Sequence, residues 1–355
     1  MALLSIFFFF YVQAEARVNT SPVTLNVSTG NIVITSTGYK VGNSSTETAY
    51  TGEYIIEGRY TGSAGYSHHI SVTSGNHTIT LNGVYIEFWN GAHSGNRFNP
   101  GTGPFSINGN SKVTLNLKGT NTLIGGVFRA GLNVTENAEL TIGGDGTLNA
   151  TGGICGAGIG GDNEQNAGTV IINSGTINAY GRREFIGCGA GIGGGRDGNG
   201  GTVIINGGYT YAHTDDWAAG IGGGSYRAGG AVYILGGTVV ADAGTKKGIG
   251  GSNNSGNGTF ATTKDGKTGN AYIVANSIGD QTNKGSWTGV IFEGNEGKMY
   301  GDVTIETDAE VPAGKTLIVD KTLTISSGVV LTNNGTIKIV SGGSLINNGT
   351  IHNNG

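Results

Sequence analysis

Proline and methionine are nearly missing from this chain of 355 residues, with 4 and 2 occurrences, and Asp, Glu, Lys and Arg together make up only 12%. Straight-chain charged residues populate exposed helix faces and ordinary chains carry about 25% charge, so this scarcity excludes helical bundles and coiled coils. Rare proline, with glycine lacking a third-position period, excludes collagen. Disorder goes with high charge, many prolines and few β-branched residues, whereas Val, Ile and Thr recur here in short runs. No stretch concentrates Lys or Arg, and the formal net charge is −4, which argues against nucleic acid as a partner. Cysteine occurs twice and the 6 His are scattered, so no zinc-ligand spacing exists. Beyond the N-terminus no apolar run reaches the roughly 18 residues of a membrane span.

Glycine is what the chain has in excess: 70 residues, about one in five against an average of about 7%. Together with β-branched runs it predicts strands joined by tight turns. At the N-terminus, residues 3–12 are apolar and Ala14-Glu15-Ala16 follows, the small-x-small form of a signal-peptidase site. Residues 1–16 are therefore expected to be a signal peptide, with a buried first strand as the alternative, and the mature chain to be secreted or attached to a cell surface.

Self-comparison decides the architecture, because periods of 20–50 residues mark solenoids and propellers. Gly-Thr-Val-Ile-Ile-Asn stands at 168–173 and 201–206, with a related block at 230–235 and a looser one at 138–143. Between these blocks Gly-Ile-Gly-Gly recurs at 158–161, 191–194, 220–223 and 248–251, spaced 33, 29 and 28 residues. Each repeat holds two alternating strands and a glycine-rich third segment, the content of one coil of a parallel β-helix; a propeller blade needs four strands. Alternation sends Val170, Ile172, Val203, Ile205, Val232 and Ile234 inward on the first strand. On the second it sends in Leu148, Ala150, Ile177, Ala179, Thr210, Ala212, Val239 and Ala241.

Irregular strand-like runs upstream read as the first coils, with 90–104 as a projecting loop. The helix is assigned to 17–251, an irregular continuation with strands to 252–300, and a short-repeat β-solenoid tail to 301–355, where Asn-Asn-Gly-Thr-Ile recurs at 333–337 and 347–351, 14 residues apart. The sequence ends in mid-pattern, which suggests a truncated gene or a covered end.

Residues 75–81, 106–123, 132–153 and the Gly-Ala-Gly-Ile-Gly-Gly blocks at 156–161 and 189–194 resemble secreted bacterial parallel β-helix proteins of the carbohydrate-binding domain kind, relatives in fold of pectate lyases. Residues 287–295 and 311–317, with the Asn-Asn-Gly-Thr tail, are similar to the C-terminal part of large surface proteins of gut anaerobes. The resemblance spans roughly 54–355. It implies a right-handed coil, in line with the general preference for right-handed crossovers. It further implies an extracellular, non-catalytic binder of polysaccharide or host-surface glycans, with calcium in some members.

Among candidate sites, Asp215 and Asp216, between His213 and Arg227, form the one local cluster of acid, base and cation, but the matching positions of the neighbouring coils read Gly181-Arg182-Arg183 and Ala243-Gly244 rather than the further carboxylates that polysaccharide lyases and glycoside hydrolases use. Catalysis is therefore not expected. Calcium at Asp197 is the one metal alternative, from a glycine-rich run close to the β-roll nonapeptide, and no cofactor is otherwise called for. The outward positions of one coil replace small polar residues with Tyr209, Tyr211 and His213, and Tyr180 lies one coil below. Flat rings beside Asn, Asp and Thr suit the C–H faces and hydroxyl rims of sugars. Tyr180, Tyr209, Tyr211, His213, Asp215, Asp216 and Trp217 are thus the candidate carbohydrate-binding residues. A structural stalk or coat repeat that displays another domain is the opposing expectation, and a lyase-like or hydrolase-like enzyme the third. Cys155 and Cys188 each precede Gly-Ala-Gly-Ile-Gly-Gly, 33 residues apart. Equivalent positions in adjacent coils lie about 4.8 Å apart, inside the disulfide window, so an inter-coil bridge is expected between them, with a reduced pair stacked in the core as small hydrophobes as the alternative.

Overall fold

The computed structural model describes residues 21–63, 68–89, 103–182, 188–215, 217–244, 246–252, 255–282 and 284–355. Residues 1–16, expected to be a signal peptide, most of the segment 90–104 expected as a loop, and Asp216 lie outside the described residues. Strand accounts for 52% and helix for 2%, and the strands stack in parallel along three faces of a β-helix. From the second coil on, the chain runs along face A, then C, then B within each coil. Face A holds 9 strands, from Val23–Asn26 through Glu139–Gly144, Thr169–Ile172, Thr202–Ile205 and Ala231–Ile234 to Thr259–Ala261. They define coils 1 to 9, so the coil pattern runs one turn past Gly251.

The registers match the repeats. Val170 pairs with Val203 and Val203 with Val232 on face A, and these residues, with Ile172, Ile205 and Ile234, are buried. On face B, Ile159, Ile192, Ile221 and Ile249 form one fully buried column. Each contributes about 1.5–3 kcal/mol relative to exposure. Face C carries Leu148, Ile177, Thr210 and Val239 inward, each at 0% exposure.

Gly-Ile-Gly-Gly recurs for a steric reason. Its second glycine sits at φ +134° at Gly160, +139° at Gly193 and +138° at Gly222, and a Cβ on each would lie 2.0–2.1 Å from a carbonyl oxygen of the next coil. Only glycine lets face B turn this tightly against its neighbour.

At its start the solenoid is closed by the antiparallel strands Gly38–Val41 and Thr48–Ala49, which extend face B. Behind them Tyr39, Tyr50 and Tyr54 pack edge to face with centroids 5.1–6.0 Å apart. Burial pushes the Tyr54 hydroxyl up to about 12.

Face C continues past coil 9 through Gly289–Glu293, which turns into the antiparallel strand Glu296–Tyr300. There the tail begins, a narrower three-sided solenoid. Thr316 pairs with Thr336, Leu323 with Leu345 and Leu331 with Ile351, so one tail coil takes 20–22 residues. The expected 14-residue period is corrected: Asn333 stacks on Asn353, whereas Asn347 pairs with Ile325. The two Asn-Asn-Gly-Thr segments are therefore different corners of the triangle, alike because each makes a tight turn. The tail core packs on the outer side of face C, where Tyr272, Val274, Val290 and Phe292 join Val311, Leu317 and Leu331 in one cluster. Strand Tyr272–Ala275 is consequently buried on both sides.

Candidate functional site

Strands Thr176–Arg182 and Tyr209–Thr214 bring the candidate aromatics to the outer surface of face C. The register sets Asn178 beside Tyr211 and Tyr180 beside His213. Residues alternate sides along a strand, so Ala179 and Ala212 fill the interior while Tyr180, Tyr211 and His213 face out, half-buried. The Tyr180 ring meets Tyr211 edge-on at 5.6 Å and His213 at 6.2 Å.

Two carboxylates hold His213. Its Nδ1 lies 3.0 Å from Asp242 Oδ2 and its Nε2 lies 3.3 Å from Asp215 Oδ1. A neutral imidazole can donate to one of these oxygens and an imidazolium to both. With both nitrogens engaged, the ring presents its face and edge rather than a lone pair, an arrangement fitted to stacking rather than to proton abstraction. Thr151, Tyr180, Arg182, His213 and Asp215 line a shallow hollow of about 370 Å³ here.

On the other side of Tyr211 lies a larger cleft of about 440 Å³, lined by Tyr209, Tyr211, Val240, Asp308, Glu310 and Thr332 among others. Its far wall is the tail, held against face C by specific bonds. The Asn270 side chain donates to Thr304 O at 2.6 Å and accepts from Thr304 N at 3.0 Å. The Tyr272 hydroxyl donates to Glu310 O at 2.8 Å. Burial, then the nearby carboxylate of Glu310, raises the Tyr209 hydroxyl above its ordinary value; burial, then Asp242, does the same for Tyr211.

The structure thus brings together Tyr180, Tyr209, Tyr211, His213 and Asp215, and adds Asp242, Arg182 and the tail wall. Trp217 points elsewhere: it is 38% exposed, packs against Tyr226 at 5.9 Å and lies under Lys246 Nζ. The tail residues were not among the sequence candidates, since no local pattern links 308–332 to coil 7. The available signal was the run of apolar residues on both sides of 272–275 and 289–292, which marks an outer surface that something covers.

Asp197 stands in a turn at φ 60°, its Oδ2 3.3 Å from Arg196 Nε. Among the described residues no three His, Cys, Asp or Glu side chains gather as a metal-ligand set. Nor is any described helix long and apolar enough to cross a membrane.

The cysteine expectation is half corrected. Cys155 and Cys188 do occupy equivalent slots: Cys155 O accepts from Arg196 N at 2.8 Å and Cys188 O from the matching Ser225 N at 3.1 Å. Both side chains are buried thiols rather than a bridge. Stacked positions send their side chains out in parallel instead of toward each other, and Cys155 lies in a left-handed turn at φ 67°. Burial raises the Cys155 thiol above its ordinary value, opposed by Arg196.

Comparison of the chain with protein-family models, with curated proteins and with solved structures finds no match.

Proposed function

We propose that the protein is a non-catalytic carbohydrate-binding module of an extracellular or cell-surface protein, and that face C at coils 6 and 7 is its binding surface. The observation that carries this is the outward cluster of Tyr180, Tyr211 and His213, backed by Asp215 and Asp242 and opening onto a cleft. Aromatic rings supply a flat apolar surface at low entropic cost. Carboxylates and hydroxyls around them supply acceptors and donors for sugar hydroxyls. The surface is nearly rigid, since every strand beneath it is paired on both edges, so little ordering opposes binding.

The test is a pull-down on a panel of insoluble glycans with the natural chain and with Tyr209→Ala/Tyr211→Ala. Loss of retention with unchanged circular dichroism supports the site; full retention by the double variant overturns it.

A further inference from the structure

The cleft between coil 7 and the tail contains two carboxylates, Asp308 and Glu310, and no basic side chain among its lining residues. Each carboxylate uses one oxygen within the tail: Asp308 Oδ1 accepts from Val330 N at 2.8 Å, and Glu310 Oε1 accepts from Asn334 Nδ2 at 2.8 Å. The second oxygen of each is an acceptor for a ligand hydroxyl, and no anionic ligand group can use it. The adjoining hollow is lined by Arg182 and Asp215, and Asp242 bonds His213 from the next coil. Among the described residues, both together hold the four carboxylates of Asp215, Asp242, Asp308 and Glu310 and one guanidinium, and a charged His213 would still leave the balance negative. Asp308 and Glu310 are exposed, so this negative balance acts most strongly at low ionic strength.

We propose that this cleft, walled by face C and by the tail, binds an uncharged glycan chain and rejects polyanionic ones, so that the tail is a specificity-determining wall of the site. The inference rests on the carbohydrate-binding reading and adds to it the ligand class and the role of Asp308 and Glu310. Burial first, and then the carboxylates of Glu310 and Asp242, raise the Tyr209 and Tyr211 hydroxyls. An uncharged chain lays a ring face on Tyr209 or Tyr211 and donates hydroxyls to the tail carboxylates. A uronate or sulfated chain brings like charge to the same place, which weakens binding most at low ionic strength.

Affinity electrophoresis of the full chain at low salt tests this, with gels containing mixed-linkage β-glucan, galactomannan, arabinoxylan, polygalacturonate or heparin. The natural chain is expected to be retarded by at least one of the three neutral polymers and to run unretarded on the two polyanions. Asp308→Asn/Glu310→Gln keeps both acceptors that bond the tail. It is expected to bind the neutral polymer about five-fold less tightly, the loss of a charge-assisted hydrogen bond, and to gain retardation on polygalacturonate. Retardation of the natural chain by polygalacturonate as strong as by any neutral polymer overturns the proposed class. So does a double variant with unchanged mobility in every gel. No retardation on any of the five polymers removes the carbohydrate-binding reading itself, and the class falls with it. Melting temperatures of both proteins separate a binding effect from unfolding.

Discussion

The ring of Tyr211 lies flat against that of His213, with centroids 5.9 Å apart and planes 5° from parallel. Two residues apart on one strand, they share a side of the sheet, and Asp242 and Asp215 fix the imidazole from both nitrogens. His213 is therefore a positioning residue for the Tyr211 surface. His213→Ala is expected to weaken glycan retention about 3–10-fold, the worth of one aromatic stack, with little change in melting temperature. His213→Phe restores a flat neighbour without the carboxylate bonds and should recover most of that loss. Equal weakening by both variants would show that the stack does not matter.

The sequence carried the coil because its inward positions are repeated in kind: Val170, Val203 and Val232 differ by nothing, and the glycines at 160, 193 and 222 have no substitute. Period-2 alternation then placed Tyr180, Tyr211 and His213 outward without any structural input. Beyond coil 8 the legibility ends. The tail lies against face C through contacts such as Thr238 Oγ1 with Thr307 O, 69 residues apart, and no local propensity records such a pairing. Asn-Asn-Gly-Thr misled because it encodes a turn and not a period. The slot of Cys155 and Cys188 was legible, but the direction of the Cys155 side chain depends on a left-handed backbone angle that a non-glycine residue does not announce.

Thr210 fills an inward position between Ile177 and Val239 on face C, fully buried, and its Oγ1 meets no hydrogen-bond partner. A buried hydroxyl without a partner destabilises by about 1–3 kcal/mol. Thr210→Val keeps the branched shape and removes the polar atom, so it is expected to stabilise the protein by about 1 kcal/mol. Urea denaturation checks this, and because the residue faces away from Tyr209 and Tyr211, glycan retention should be unchanged. A lower midpoint in the variant would contradict the orphaned hydroxyl.

Asp280 ties coil 9 together. Its Oδ2 accepts from Phe260 N at 3.1 Å, and its Oδ1 accepts from Thr282 N at 2.9 Å and Thr282 Oγ1 at 2.6 Å. These bonds, the Thr282 hydroxyl foremost, hold the carboxyl below its ordinary value of 3.8. Lowered on folding, the group contributes stability that is present above that value and is lost as pH falls through the lower folded one. Asp280→Asn leaves Phe260 N facing an amide nitrogen and should cost about 2 kcal/mol at neutral pH. The gap to the natural chain should close as pH falls below about 4. Trp287 packs edge-on against Phe260 at 5.0 Å, so its fluorescence during acid titration follows this coil. A gap that stays constant down to strongly acid pH would show that Asp280 does not titrate with folding.

Gly193 tests the steric basis of the whole solenoid. At φ +139° it occupies a region closed to side chains, and a Cβ there would lie 2.0 Å from the carbonyl oxygen of Gly222, itself one strand of the next coil. Backbone cannot withdraw as a flexible side chain would. Gly193→Ala must therefore either strain φ or separate coils 6 and 7 on face B, for a cost on the order of 3 kcal/mol. Gly266 gives the control, because a Cβ there meets nothing within 4 Å although its φ of +77° is also left-handed. Gly266→Ala then bears the backbone penalty alone, about 1–2 kcal/mol. Gly193→Ala bears a steeper backbone penalty and the contact between coils together, so it should lower the midpoint in chemical denaturation more than Gly266→Ala does, and because coil 7 carries Tyr209, Tyr211 and His213, Gly193→Ala alone should also weaken glycan retention. Equal midpoints for the two variants would overturn this steric account of the repeat.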